Sequence, residues 1–594
     1  MAKQKNLYGI AKVAGYLPKF TSFVFRNFLS AHLAVVVAMA GVLLEYGALS
    51  VMLPLTSAEG QKAGGISSKA VEFWHQAAEI LRLPVEPKTW LWLFLLLLGL
   101  RIAVGFTQLA LNTWVSKRIL AHLSGGIFSR VVVNEPLSDI YRRTVGHYTA
   151  LAGDEAVRVG QVFFHMAQAV SALVAALIGL IVLFIFSPFV FKLTLLFLLL
   201  SGLAIGLAMR HVFSWSNESA FLSREANTTF IEAFNGIRSI RSMAGEEFVA
   251  QRYRNFIDRY GRVLFLLDVF NHGSRSVPGL ILIILGLIVL FPGIAGIAGL
   301  GEFSAVYFFT VTTMLIRVLS FLGTAVASGG RVAIDIRAAF DIDDIIGSST
   351  ASQAVAEDGA QVNSVRSMTI TGLSCGYVAD HPVLSEVTVQ MRAGHIYALV
   401  GRSGSGKSTL SDVLLGLLAP MSGELFIGDQ PYHRINLASL RRKVVLVEQQ
   451  TRIFSGSVRE NIAFGLEPTD AALQVAVEAS GLAELVDTLP AGLDTRLDYQ
   501  GANLSGGQRQ RIGLARAIVR QPDVLILDEA TSALDSQTRE QVLQNLKSLF
   551  HERILLFITH DNYIMQQVDE VWHIKKGKLV TEDRKPCEYE VSQS

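Results

Sequence analysis

The chain has 594 residues, of which 51% are hydrophobic and only 17% charged. Soluble chains carry roughly 25% charged residues, so the composition excludes a wholly soluble protein and leaves room for two or three domains. A formal net charge of +2 carries no signature of a nucleic-acid partner, and two cysteines, Cys375 and Cys587, are too few for a disulfide framework.

From the N-terminus, Lys3, Lys5, Lys12 and Lys19 interleave with apolar residues up to Arg26, with no small-residue cleavage pattern after the first apolar run. This reads as an amphipathic helix over residues 1–28, lying at the cytoplasmic interface and broken near Pro18. A bilayer span needs about 20 apolar residues. Six stretches qualify: Ala31–Leu55, Thr89–Val115, Val162–Phe186, Pro188–Phe213, Val277–Ile297 and Phe303–Ala327. The third and fourth almost touch at Ser187-Pro188, which predicts a tight hairpin. Arginine is dense from Lys117 to Arg143 and from Arg210 to Arg262, whereas Gly293–Gly301 holds no Lys or Arg. The positive-inside rule then places both long connections, the N-terminus and the C-terminal domain in the cytoplasm. The long connections continue the helical pattern of their spans. They predict arms reaching beyond the bilayer, with tips near Ser138–Arg143 and Thr228–Asn235; an independent cytoplasmic subdomain is the alternative.

Charges inside spans are costly and are functional suspects. Glu45 in the first span and Arg101 in the second each fall about 15 Å below the outer surface at helical rise, the arrangement of a structural ion pair between neighbours. Arg275 and Arg317 lie deeper, roughly 22–24 Å from the outer ends of the fifth and sixth spans, with no obvious acid in either span to match them. They are expected to face a central cavity and meet an anionic head group, pyrophosphate suiting two parallel guanidinium N–H bonds. Snorkelling to the inner interface is the plainer reading. Arg101, Arg275 and Arg317 are the candidate substrate residues.

Residues 29–345 thus form the membrane domain. The Ser-, Ala-, Gly- and Gln-rich stretch 346–364 reads as a linker, and 365–594 as a soluble α/β domain in which cysteines at both ends fit a reducing compartment. Within it, Gly401-Arg402-Ser403-Gly404-Ser405-Gly406-Lys407-Ser408 follows an apolar strand, Ile396–Val400, and precedes a helical pattern from Thr409. That is the context a phosphate-binding loop requires. Glycines let backbone N–H groups close on phosphates, and the helix N-terminus adds a favourable dipole. Lys407 supplies a point charge for the β- and γ-phosphates, and Ser408 can ligate Mg²⁺. Val524-Leu525-Ile526-Leu527-Asp528-Glu529 reads as a buried strand ending in two acids. Asp528 suits Mg²⁺, which wants oxygen ligands and keeps several waters; Glu529 is placed to act as general base on water.

Between these lies Leu504-Ser505-Gly506-Gly507-Gln508, which resembles the signature motif of ABC transporters. The layout of six spans and one such domain resembles that family's half-size exporters across the whole chain. The resemblance implies an all-α six-helix transmembrane domain followed by an α/β P-loop ABC ATPase domain, with ATP and Mg²⁺ as cofactors. It implies that Tyr377 stacks on adenine and that Gln449 senses Mg²⁺ and water. It also gives the D-loop as Ser532-Ala533-Leu534-Asp535 and His560 as the residue on the γ-phosphate. Each ATP would lie between one chain's P-loop and the partner's Leu504–Gln508 and Asp535, so two chains are needed; since every motif is present, a homodimer is expected. One departure is visible: Asp498-Tyr499-Gln500 stands where such exporters commonly carry Gly-Glu-Arg, in a loop that contacts the membrane arms in the family.

Residues Leu44–Pro54, with Arg101 and Arg317, resemble the bacterial flippase for lipid-linked oligosaccharides, which implies an amphipathic, lipid-linked glycan cargo and a bacterial inner membrane. A multidrug, lipid or peptide exporter is the alternative, although no peptidase domain precedes the spans. An ATP-gated channel or regulator is a third reading, against which the intact Glu529 and His560 stand.

Overall fold

The computed structural model describes residues 17–51, 54, 66–80, 82–133, 135, 137–143, 145–186, 188–290, 305–347, 359–378 and 381–581. The chain divides into two compact units, Met1–Val133 with Arg143–Ser348, and Asn134–Arg142 with Ser349–Ser594. Lys3, Lys5 and Lys12, and residues 348–358 of the expected linker, lie outside the described residues. Pro18 sits within a helical stretch over residues 17–27.

The first unit is helical. Each of the six expected spans overlaps one long helix: Leu29–Val51, Pro87–Val133, Ala156–Phe186, Pro188–Asn235, Glu246–Leu290 and Ala305–Gly347. Among the described residues, four segments are long and apolar enough to cross a membrane: Leu29–Val51, Pro87–Val133, Val145–Phe184 and Thr313–Phe340. Lipid offers no hydrophobic drive between helices, so small residues at interfaces set their approach. The first helix follows this rule. Ala31, Ala34, Ala38, Gly41, Glu45 and Ala48 are buried at helical spacing, while Leu33, Val36 and Leu43 are exposed. A Cβ added at Gly160 would stand 2.5 Å from the Ser116 carbonyl oxygen, so the helices carrying them run in backbone contact. Helices of 47 and 48 residues, Pro87–Val133 and Pro188–Asn235, are each about 70 Å long at helical rise, well over the roughly 30 Å of hydrocarbon. The arms are therefore continuations of the spans. A π-helical turn, Leu151–Glu155, interrupts the helical run that begins at Val145.

The second unit holds a six-stranded sheet in the order β12-β11-β3-β10-β9-β6. Its strands are β3 (Ile396–Gly401), β6 (Val444–Val447), β9 (Val524–Asp528), β10 (Ile554–Ile558), β11 (Glu570–Lys575) and β12 (Lys578–Thr581). All pairings are parallel except β11 with β12. A four-stranded antiparallel sheet, β2-β1-β4-β5, uses β1 (Ser367–Cys375), β2 (Leu384–Arg392), β4 (Ser422–Ile427) and β5 (Gln430–Pro431), and β7 (Gly456–Ser457) pairs antiparallel with β8 (Arg496–Leu497). The large sheet is covered on both faces, which is why β9 and β10 read as unbroken apolar runs. Leu525, Leu527, Leu555 and Phe557 join one core, whereas Val524, Ile526, Leu556 and Ile558 join the other. The loops at the C-terminal ends of adjacent parallel strands carry the expected chemistry: Gly401 at β3, Thr559-His560 after β10, Asp528-Glu529 at β9, and Gln449 two residues past β6. That edge is where open α/β sheets bind ligands.

Candidate functional site

The loop from Gly401 to Gly406 turns sharply into the helix Lys407–Leu414. Gly404 and Gly406 take φ of +76° and +108°. A Cβ at Gly406 would stand 2.5 Å from Leu384, and one at Gly401 would stand 2.8 Å from the Ile574 carbonyl oxygen, so both positions are closed to larger residues. Lys407 Nζ donates to the Gly401 and Arg402 carbonyls at 2.7 and 3.1 Å, which holds the ammonium within the loop. Ser405 Oγ is buried with no hydrogen bond among the described residues. A glycine cradle, a lysine and an unspent hydroxyl fit a phosphate chain. Ser408, exposed at the helix start, and Asp528 are the oxygen donors that could hold Mg²⁺. Burial, and next to it the Glu529 charge, pushes the Asp528 carboxyl above its ordinary range, while Lys407 pulls it back.

Glu529, Gln449 and His560 meet. Gln449 Nε2 donates to Glu529 Oε2 at 2.5 Å, and His560 Nδ1 lies 3.0 Å from Oε1. Glu529 itself is not part of β9. It takes a left-handed φ of +46° just past the strand, and its N–H donates to the Ile558 carbonyl at 2.9 Å. The turn lifts the carboxylate out of the sheet edge, leaving the side chain 20% exposed.

Tyr377 packs against the core beside β1, and its hydroxyl donates to the Asp412 carboxylate on the P-loop helix. Burial pushes Asp412 upward while this bond draws it down. Asp412 was not legible as a site residue; in the sequence it is only the single acid of the helix Lys407–Leu414. Ser505 caps the helix Gly506–Val519 in a capping box: its Oγ accepts from Gln508 N–H at 3.2 Å, and its own N–H donates to Gln508 Oε1 at 2.8 Å. Leu504 is buried just before it. A Cβ at Gly507 would stand 2.8 Å from the Ala533 carbonyl oxygen, so the helix packs directly on the following loop. Asp535 caps the helix Ser536–Leu549, accepting from Thr538 N–H at 3.0 Å. In the departing segment, Gln500 takes a φ of +54° and Tyr499 is exposed; Arg509 fixes the turn by donating to the Gly501 and Leu504 carbonyls.

In the membrane unit, Arg101 Nε donates to Glu45 Oε2 at 2.9 Å, the expected pair between the first two spans. The expectation that Arg317 has no acidic match is corrected. Its guanidinium lies 3.1 Å from Glu45 Oε1, without hydrogen-bond alignment. The matching acid comes from the first span, outside the two spans that carry Arg275 and Arg317. Two arginines thus share one buried carboxylate, and the Arg317 side chain stays 49% exposed. Arg275 lies on the helix Glu246–Leu290; its side chain is outside the described residues.

Residues 384–532 match the family described as ABC transporter, and residues 22–322 the one described as ABC transporter transmembrane region. The chain is 30% identical over 452 residues to the heterocyst differentiation ATP-binding protein HepA of Nostoc sp., covering 72% of this chain and 70% of that one. It is 28% identical over 487 residues to an ATP-dependent lipid A-core flippase of Alcanivorax borkumensis, covering 79% and 80% respectively. A solved structure of a bacterial Atm1-family ABC exporter with ATP bound shares the fold, with a TM-score of 0.71 at 21% identity over 94% of this chain and 95% of that one.

Proposed function

Because the chain belongs to the ABC transporter family, as a half-size exporter that couples ATP hydrolysis to transport, we propose that it acts as a homodimer flipping an anionic, amphipathic, lipid-linked cargo across a bacterial inner membrane. In this reading the N-terminus and the ATPase domain are cytoplasmic. The observation that carries the cargo class is the pair of arginines on Glu45: two guanidinium groups against one carboxylate leave a net positive charge at membrane depth, with Arg317 half exposed. An uncompensated charge there costs about 2.5–3.5 kcal/mol on insertion scales, which an anionic head group would offset. The similarity to a lipid A-core flippase leans toward a lipid cargo.

For the ATPase cycle, the backbone from Gly401 to Gly406 with Lys407 and Thr409 would seat the phosphates, and Tyr377 would stack on adenine. Ser408, Asp528 and Gln449 would hold Mg²⁺, which when bound neutralises phosphate charge. Glu529 would take a proton from the attacking water, with Gln449 and His560 fixing its two oxygens. Leu504, Ser505, Gly506, Gly507, Gln508 and Asp535 would serve the partner's nucleotide, so each hydrolytic site needs both chains.

The test is transport in proteoliposomes with a polyprenyl-pyrophosphate glycan, a lipid A-core glycolipid, a neutral phospholipid and a cationic drug. The proposal expects movement of an anionic glycolipid, lost in Arg101→Gln and Arg317→Gln with basal ATPase retained. Transport of the drug or the neutral lipid alone would overturn the cargo class.

A further inference from the structure

We propose that Gln510, two residues beyond the Leu504–Gln508 motif, is a positioning residue that ties the motif helix to the hydrolytic carboxylate; the proposal rests on reading Glu529 as the base. Gln510 is 5% exposed, unusual for an amide on a helix of an ATPase domain that could point it at water. Its Nε2 donates to two backbone carbonyls, Gln449 and Glu529, each at 3.3 Å, and its Oε1 accepts from the Ala533 N–H at 3.1 Å. Ser532 Oγ lies at 3.5 Å, at the outer limit of a bond.

One amide therefore joins three segments. The first is the start of the loop after β6, the second the residue past β9, and the third the turn toward Asp535. The carbonyls it holds belong to the two residues whose side chains bond each other, Gln449 Nε2 to Glu529 Oε2. Gln449 and Glu529 are thus tied twice, once by side chain and once through Gln510. The second tie matters because Glu529 stands at a φ of +46°. A non-glycine residue in that region persists only where its surroundings over-determine it. Its N–H is held by Ile558, and its C=O by Gln510. With Gly507 against the Ala533 carbonyl there is no slack between helix and turn. A shift of the helix Gly506–Val519 then moves the peptide that aims the carboxylate. Ser505, capping that helix, is the residue proposed to sense the partner's nucleotide, so occupancy of one site would be reported to the base of the other through Gln510.

The test uses the full chain in lipid nanodiscs, with Gln510→Met (similar size, no polar atoms) and Gln510→Glu (same shape, the Ala533 bond kept, both donors lost). A misplacement of about 1 Å commonly costs up to roughly 100-fold in rate. Both variants are expected to lose about 10–100-fold in kcat. ATP affinity, measured by equilibrium binding without Mg²⁺, should stay within about twofold, and orthovanadate should trap less nucleotide. Asn436→Ala removes another buried amide, which caps the helix Leu437–Lys443 by accepting from Ser439 N–H at 2.9 Å, and serves as the purely structural comparison. It should lower the melting temperature comparably while keeping kcat. The proposal is overturned if both Gln510 variants keep kcat within twofold, if ATP affinity falls with kcat, or if Asn436→Ala loses as much kcat. If Met disrupts folding, the Glu variant carries the same test. Should Glu529→Gln itself hydrolyse ATP at near the native rate, the base assignment fails, a result separate from any seen at Gln510.

Discussion

Replacing Glu45 by Gln removes one carboxylate and strands two guanidinium groups. Unit charges about 3 Å apart attract by roughly 5 kcal/mol at an effective dielectric near 20, but desolvation cancels much of that, and breaking a buried pair costs about 3–5 kcal/mol. Here Arg101 and Arg317 are 28% and 49% exposed in their side chains, which lets each stranded charge recover water. The expected cost of Glu45→Gln is therefore about 2–3 kcal/mol, below the fully buried case. Arg101→Gln should cost more than Arg317→Gln, because only Arg101 is hydrogen-bonded to the carboxylate and less of it reaches solvent. At roughly 2–4 °C per kcal/mol for a domain of this class, Glu45→Gln should lower the melting temperature by about 4–12 °C in nanodiscs. The triple Gln variant should recover part of that loss, since it leaves no stranded charge. Glu45→Gln melting with the native protein, or Arg317→Gln proving the more damaging arginine change, would refute the shared-carboxylate account.

Glu529→Gln should bind ATP normally and turn over about 10²–10⁴-fold more slowly; steady-state phosphate release beside nucleotide retention decides it. Tyr377→Phe keeps the ring but leaves Asp412 without its donor, so the KM for ATP should rise only a few-fold, and less than in Tyr377→Ala. Equal effects in a titration of ATPase rate would remove stacking as the explanation. The Cys375 thiol is fully buried and pushed up to about 11, first by burial and then by the Asp412 charge. The folded state thus holds the proton more tightly than the unfolded one, whose thiol titrates near 8.5. The stability this gives is complete below that value and is lost as pH rises toward about 11, by roughly 2–3 kcal/mol at most. Melting temperatures of native and Cys375→Ala chains at pH 8 and 10.5 should therefore converge at the higher pH. A constant difference would refute it.

Much of the ATPase domain was legible because its constraints are local. Glycine spacing before Lys407 dictates a loop that only glycines can make, and an apolar run ending in Asp528 dictates a central strand with acids at its tip. The Glu45–Arg101 pair was legible too, since two consecutive antiparallel spans fix relative depth by counting. Arg317 was misjudged because pairing the sixth span with the first depends on how the helices pack, which depth along the chain does not encode. Gln510 and Asp412 were missed for a similar reason: burial of an amide or a carboxyl against another segment's backbone or hydroxyl is a tertiary fact. The continuation of the second-span helix from Val115 to Val133 was legible for the opposite reason: the polar segment keeps the helical pattern of the span before it.

The left-handed backbone at Glu529 sets selection against itself. A side chain at that φ costs on the order of 1–2 kcal/mol that glycine would not incur. Glu529→Gly is thus expected to make a sturdier chain without the proposed base, so stability alone would reward discarding the residue assigned the central step of the cycle. Only continued demand for transport keeps a glutamate there. A lineage relieved of that demand should lose this side chain early, while its fold survives unharmed.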